Sequence, residues 1–101
     1  MTERAPAPLP PVSDLRRIAA FVVVAEELHF RRAAARLAMA QSPLSRAIRK
    51  LEWELGTMLF ARTKRVVKLT PAGSALLPAA RRLLEEAERF ADAARSVDGG
   101  H

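Results

Sequence analysis

Residues 41–56, QSPLSRAIRKLEWELG, carry the pattern that most restricts the fold. Leu44, Ala47, Ile48, Leu51 and Leu55 recur at helical spacing and form one apolar stripe. Ser42-Pro43 reads as an N-cap and N1 pair, because Ser accepts an orphan N–H and Pro needs no donor there. Gly56 supplies a left-handed residue that ends the helix. The stripe has to pack on other elements, which leaves Ser42, Ser45, Arg46, Arg49 and Trp53 on the opposite side. The two acids of the stretch, Glu52 and Glu54, stand at its far end. That placement is expected if the Ser/Arg face meets an anion and the end of the helix turns away from it.

The neighbours of this helix follow from the same kind of pattern. Upstream, Ser13 or Asp14 can cap a helix in which Leu15, Ile18, Ala19, Val22 and Ala25 recur, widened by Phe21, Val24 and Leu28. Val22-Val23-Val24 is a local strand signal, but the periodicity on both sides overrides it. A short second helix follows, with Phe30, Ala33, Ala34 and Leu37 at i, i+3, i+4 and i+7, and AMAQ, residues 38–41, as a tight connection. Arg31 and Arg32 open that helix, where cations oppose the macrodipole and an anion would be welcome. After Gly56, MLFAR and RVVKL read as a two-stranded ribbon turning at TKR, with Arg62, Lys64 and Arg65 near its tip. Thr70-Pro71 caps a long helix to about Arg95, in which Leu76, Ala80, Leu83, Ala87, Phe90 and Ala94 step by fours and threes as a heptad seam. Pro78 should kink its first turns. The expected organisation is a disordered Pro-rich leader at 1–12, a compact domain at 13–69, the long helix at 70–95 and a flexible tail at 96–101.

Charge then points to the partner. The chain carries a net +6. Between His29 and Lys68 there are ten Arg or Lys against Glu52 and Glu54, so that segment alone is +8 and the remainder is acidic. A positive charge confined to one segment implies a polyanion. With no cysteine and two histidines, no metal site is expected. No apolar run nears the roughly 18 residues of a membrane span, and the start lacks an apolar signal-peptide region, so a cytoplasmic location is the expectation.

Two short helices joined by a tight turn, the second capped and basic, followed by a basic ribbon, describe a winged helix-turn-helix: a mainly α fold with a three-helix core and a two-stranded wing. Such a helix lays its N-terminal residues against base edges in the major groove of double-stranded DNA, where Arg suits guanine, Gln adenine and Ser either. No nucleophile–base–orienter set and no Gly-rich phosphate loop is present, so catalysis is not expected, nor any cofactor. A basic amphipathic helix can also sit on anionic lipid or on another protein, but here the leucines are needed for the core.

Residues 14–84, and in particular FVVVAEELHFRRAA, PLSRAIRKLEWELGTMLFAR and LTPAG in order and spacing, resemble the DNA-binding domain of LysR-type transcriptional regulators. The resemblance implies a bacterial regulator, nucleoid-associated, binding an interrupted inverted repeat as a homodimer. It implies that the 70–95 helix is a linker helix pairing antiparallel with its mate. A small-molecule effector enters only if a further C-terminal domain exists. It also implies base and groove contacts at Gln41, Ser42, Ser45 and Arg46, with Arg62 and the following wing residues at the backbone or minor groove. Arg31, Arg32, Arg49, Lys50, Lys64 and Arg65 complete the expected DNA-binding set. The runner-up is another winged-helix regulator, of the molybdate-responsive type. The sequence departs from the family pattern in four places. Ala40-Gln41-Ser42 replaces the common Ser-Gln-Pro, so either the helix start shifts or Ser42 takes over capping. Ala47 replaces a usual Gln. Arg31 stands where a Thr often opens the second helix. Trp53 stands where a polar residue is usual; it either lies on Arg49 or neighbouring chain, or anchors a contact with a partner subunit or a further domain.

Overall fold

A computed structural model of the protein describes residues 14–99. The leader at 1–12, the capping alternative Ser13 and the final Gly100-His101 lie outside the described residues. The elements are α1 (Leu15–Glu27), α2 (Phe30–Arg36), α3 (Gln41–Leu55), β1 (Phe60–Arg62), β2 (Val67–Leu69) and α4 (Pro71–Gly99). The strands form an antiparallel ribbon, Phe60 opposite Leu69 and Arg62 opposite Val67. The fold is the winged helix-turn-helix expected, with a long helix appended. No described helix is long and apolar enough to cross a membrane.

Local chemistry sets each boundary. Asp14 caps α1 by accepting from the Arg16 N–H at 2.9 Å. The Arg16 hydrogen bonds hold its carboxyl below the usual carboxylate range, so this cap contributes above the unfolded pKa and is lost as pH falls through the folded one. The valine run stays helical because its side chains are wanted inside: Val22 and Val24 are buried. Leu28 ends α1 in the left-handed region, and His29 caps α2, its Nδ1 accepting from the Arg32 N–H at 3.2 Å. Between α2 and α3 the chain turns through Ala38 at φ 54, with Met39 N–H donating to the Ala34 carbonyl at 3.0 Å. A Cβ in that region is strained, and glycine is the usual occupant.

The start of α3 corrects the capping expectation. Ala40 is the N-cap, with no side-chain hydrogen bond, and the helix begins at Gln41. Ser42 and Pro43 sit inside the first turn. Pro43 is tolerated there because the first N–H groups of a helix have no intrahelical acceptor to lose. Ser42 therefore does not cap, and its side chain is exposed. Gly56 ends the helix at φ 69 as expected.

Phe21, Leu44, Ile48, Leu51, Leu59 and Phe60 are the largest fully buried side chains. Phe60, from the first wing strand, meets Phe21 edge-on at 5.7 Å and Phe30 at 6.3 Å, so the wing is rooted between α1 and α2. Thr70 ties the wing to α4: its hydroxyl donates to the Met58 carbonyl and accepts from the Gly73 N–H. Gly73 lies so close that a Cβ there would stand 2.2 Å from the Leu59 carbonyl oxygen.

α4 runs four residues beyond the expected end, and the expected tail 96–101 is helical as far as Gly99. Ser96 and Val97 carry no stop signal, so nothing ends the helix before its glycines. The helix is continuous through Pro78. One side packs on the domain core through Leu77, Ala80 and Leu84.

Candidate nucleic-acid interface

Which side chains of α3 face outward depends on what its inner face does. Leu44, Ile48 and Leu51 are fully buried, and this fixes the helix rotation. Gln41, Ser42, Arg46, Arg49 and Lys50 are then exposed, with Ser45 half-buried. The start of α2 and the wing share a cleft with the first turns of α3. Arg31, Gln41, Ser45, Arg62, Lys64 and Arg65 together line one cleft of about 530 Å³.

The acids of α3 have a different job from the one expected. Glu52 is not a surface residue: it is 4% exposed and sits in the apolar stripe, one turn after Ile48. Its carboxylate accepts from the backbone N–H of Leu59 at 2.8 Å and of Phe60 at 3.2 Å, and pairs with Arg62 at 3.4 Å. Three donors satisfy this buried charge and clamp the first wing strand to α3. Glu54 pairs with Arg17 of α1 at 3.2 Å. The end of α3 is acidic because tertiary structure uses both carboxylates. An acid inside an apolar stripe was the signal for this role.

The cations divide accordingly. Arg62 is held by Glu52 and lies 4.7 Å from the Phe30 ring centre, so it supports the wing as well as lining the cleft. Arg32 reaches back to the Glu27 carboxylate and carbonyl, and Arg36 to Glu26 and Glu27. By contrast Arg31, Arg46, Arg49, Lys50, Lys64 and Arg65 have no carboxylate partner among the described residues. At the wing tip the Thr63 hydroxyl accepts from the N–H groups of Arg65 and Val66, closing the turn that projects Lys64 and Arg65. Trp53 is 75% exposed and lies under Lys50, whose Nζ is 4.7 Å from the ring centre, rather than under Arg49. No group of three or more His, Cys, Asp or Glu that could hold a metal ion occurs among the described residues.

The heptad seam of α4 divides too. Ala80 is buried within the chain's own core. Leu76, Leu83 and Phe90 are exposed, and so is Val97, one heptad further on in the unexpected last turn. These four step by seven along one side of the helix. Ala87 is half-buried and Ala94 exposed. Val97 was within reach of the sequence pattern, had the helix been carried past Arg95. Beside the stripe an apolar groove opens between Leu55 of α3 and Leu76, Ala79 and Leu83 of α4.

Comparison with known proteins agrees with this architecture. Among curated relatives, the transcriptional regulator ShiR of Corynebacterium glutamicum is 50% identical over 86 residues, covering 85% of this chain and 29% of ShiR. XapR of Escherichia coli is 56% identical over 75 residues, covering 74% of this chain and 26% of XapR. The chain thus spans under a third of the length of these two relatives. Among experimental structures, the BenM DNA-binding domain in complex with catB site 1 DNA superposes with a TM-score of 0.82 at 40% identity, covering 88% of this chain and 100% of that one. The CbnR DNA-binding domain–DNA complex gives 0.80 at 40% identity, covering 85% and 99%. The family of bacterial regulatory helix-turn-helix proteins of LysR type matches residues 15–74. With that match over more than half its length, the chain belongs to the LysR family of bacterial regulatory helix-turn-helix proteins.

Proposed function

We propose that this chain is the DNA-binding part of a LysR-type transcriptional regulator and binds double-stranded DNA sequence-specifically as a homodimer. The observation that carries the proposal is the sorting of cations. Arg31, Lys64 and Arg65 in the cleft and Arg46, Arg49 and Lys50 on the outer side of α3 lack an acid among the described residues, whereas Arg32, Arg36 and Arg62, which hold α2 and the wing, have one. An array of unpaired cations around exposed Gln and Ser at a helix start suits phosphates at the rim and base edges in the middle. Gln41, Ser42, Ser45 and Arg46 read bases; Arg31, Arg49, Lys50, Lys64 and Arg65 contact the backbone. Arg62 and Arg32 position the wing and α2.

The exposed stripe Leu76, Leu83, Phe90 and Val97 supports an α4–α4 dimer. A row of large apolar side chains left in water at heptad spacing has the form of a coiled-coil seam awaiting its mate. Two-fold symmetry in the protein then selects an interrupted inverted repeat in the DNA. Such a regulator works in the cytoplasm at the nucleoid, and an effector would act through a further domain.

Sedimentation and duplex titration test the two halves of the proposal separately. Wild type is expected to sediment as a dimer and Leu83→Asp as a folded monomer, since the substitution would bury a charge in the seam. Duplex affinity is expected to fall with salt, each neutralised phosphate adding about 0.9 to the slope of log K against log salt. A dimer that survives Leu83→Asp refutes the seam, and a salt-independent affinity refutes the cationic interface.

A further inference from the structure

Trp53 is the single tryptophan of the chain and stands outside the residues proposed above to read bases. The residue is 75% exposed. The surroundings are cationic. Lys50 Nζ lies over the ring, and Arg49 borders the same shallow groove as Trp53 and Met58. Both acids of α3 that could offset these charges are turned inward, Glu52 to the wing and Glu54 to Arg17. The patch is aromatic and positive, with no free carboxylate from its own helix.

Its position along α3 continues the recognition face. At 100° per residue, Ser42, Arg46, Arg49 and Trp53 fall within about 60° of arc. From Ser42 to Trp53 the helix rises about 16 Å, while the major groove is about 12 Å wide. A helix whose first turn meets base edges therefore carries Lys50 and Trp53 to the strand that walls the groove.

We propose that Lys50 and Trp53 form a clamp on the sugar–phosphate backbone of the bound duplex. The Lys50 ammonium meets a phosphate, the indole lies against a deoxyribose, and its Nε1–H donates to a phosphate oxygen. Stacking of Lys50 on the ring holds the cation in place before DNA arrives. The clamp reads no base; it fixes the tilt and depth of α3 in the groove. This inference rests on the DNA-binding reading above and adds Trp53 to it.

The lone tryptophan makes the test direct. A labelled duplex is titrated with the full chain while anisotropy reports binding and acrylamide quenching of Trp53 fluorescence reports exposure. Saturation of anisotropy is expected to coincide with loss of quenching. Trp53→Ala is expected to weaken binding about fivefold on every duplex sequence alike, the size of one net hydrogen bond, with the salt slope unchanged. Lys50→Ala is expected to lower the slope by about 0.9. Because Trp53 is largely exposed, the thermal midpoint of Trp53→Ala should match wild type. Saturating anisotropy with quenching as in the free protein overturns the clamp and leaves the DNA-binding reading intact. A loss of dimer in Trp53→Ala at unchanged DNA affinity assigns the patch to a second copy and also overturns it. If anisotropy never changes, the DNA-binding reading falls first and the clamp with it.

Discussion

The inner and outer faces of α3 use charge in opposite ways. On the inner face Glu52 gathers Leu59, Phe60 and Arg62, and Glu54 gathers Arg17. On the outer face Arg46, Arg49 and Lys50 meet no carboxylate among the described residues, and Ser42 and Gln41 stand exposed beside them. One helix thus holds the wing with its acids and offers its cations outward. What separates the arginines that hold the fold from those of the outer face is whether an acid lies within reach. Arg62 and Arg46 belong to the same basic segment and differ in that respect.

The largest test of this contrast strikes the inner face. Glu52→Ala leaves two buried N–H groups and Arg62 without their acceptor, and is expected to lower unfolding stability by about 3–5 kcal/mol in urea titration. A loss below about 1 kcal/mol would mean that the wing is held by packing alone. Gly73→Ala comes next: its Cβ would collide with the Leu59 carbonyl, and overpacking of this kind costs about 1–3 kcal/mol. On the outer face the effect moves from folding to binding. Arg46→Ala is expected to leave stability unchanged, weaken binding by about 1–3 kcal/mol and relax base preference at one position; a uniform loss on all sequences would make Arg46 a phosphate contact instead. Lys64→Ala is smaller: affinity falls on all duplexes and the salt slope drops by about 1, an unchanged slope arguing against the wing contact. The smallest effect is a gain. Ala38→Gly removes a left-handed Cβ from the helix-turn-helix turn and is expected to add about 0.5–1 kcal/mol of stability, with binding unaltered.

The outer face was the more legible of the two. Apolar periodicity placed Leu44, Ile48 and Leu51 inward, and the rotation so fixed put Ser42, Arg46 and Arg49 outward without any tertiary information. The valine run of α1, the wing and the Thr70 cap were legible from local pattern in the same way. The inner charges were illegible because their partners are distant in sequence: Glu52 meets backbone of the wing, and Glu54 meets Arg17 from another helix. Local signals failed where two rules overlap. Ser-Pro marks a helix start, but a first turn tolerates Pro at more than one position, so the true start came two residues earlier at Gln41. In α4, heptad spacing alone could not tell Ala80, which the domain's own core takes up, from Leu83, which faces out.

In the proposed complex, the unpaired outer faces of two α4-paired copies meet DNA. Selection of bound sequences from a random duplex pool tests it most directly. The expected product is a two-fold symmetric interrupted inverted repeat, with base preference lost at one position in each half when Arg46→Ala is selected in parallel. Recovery of unsymmetric single sites, or of no preferred sequence at all, would contradict it.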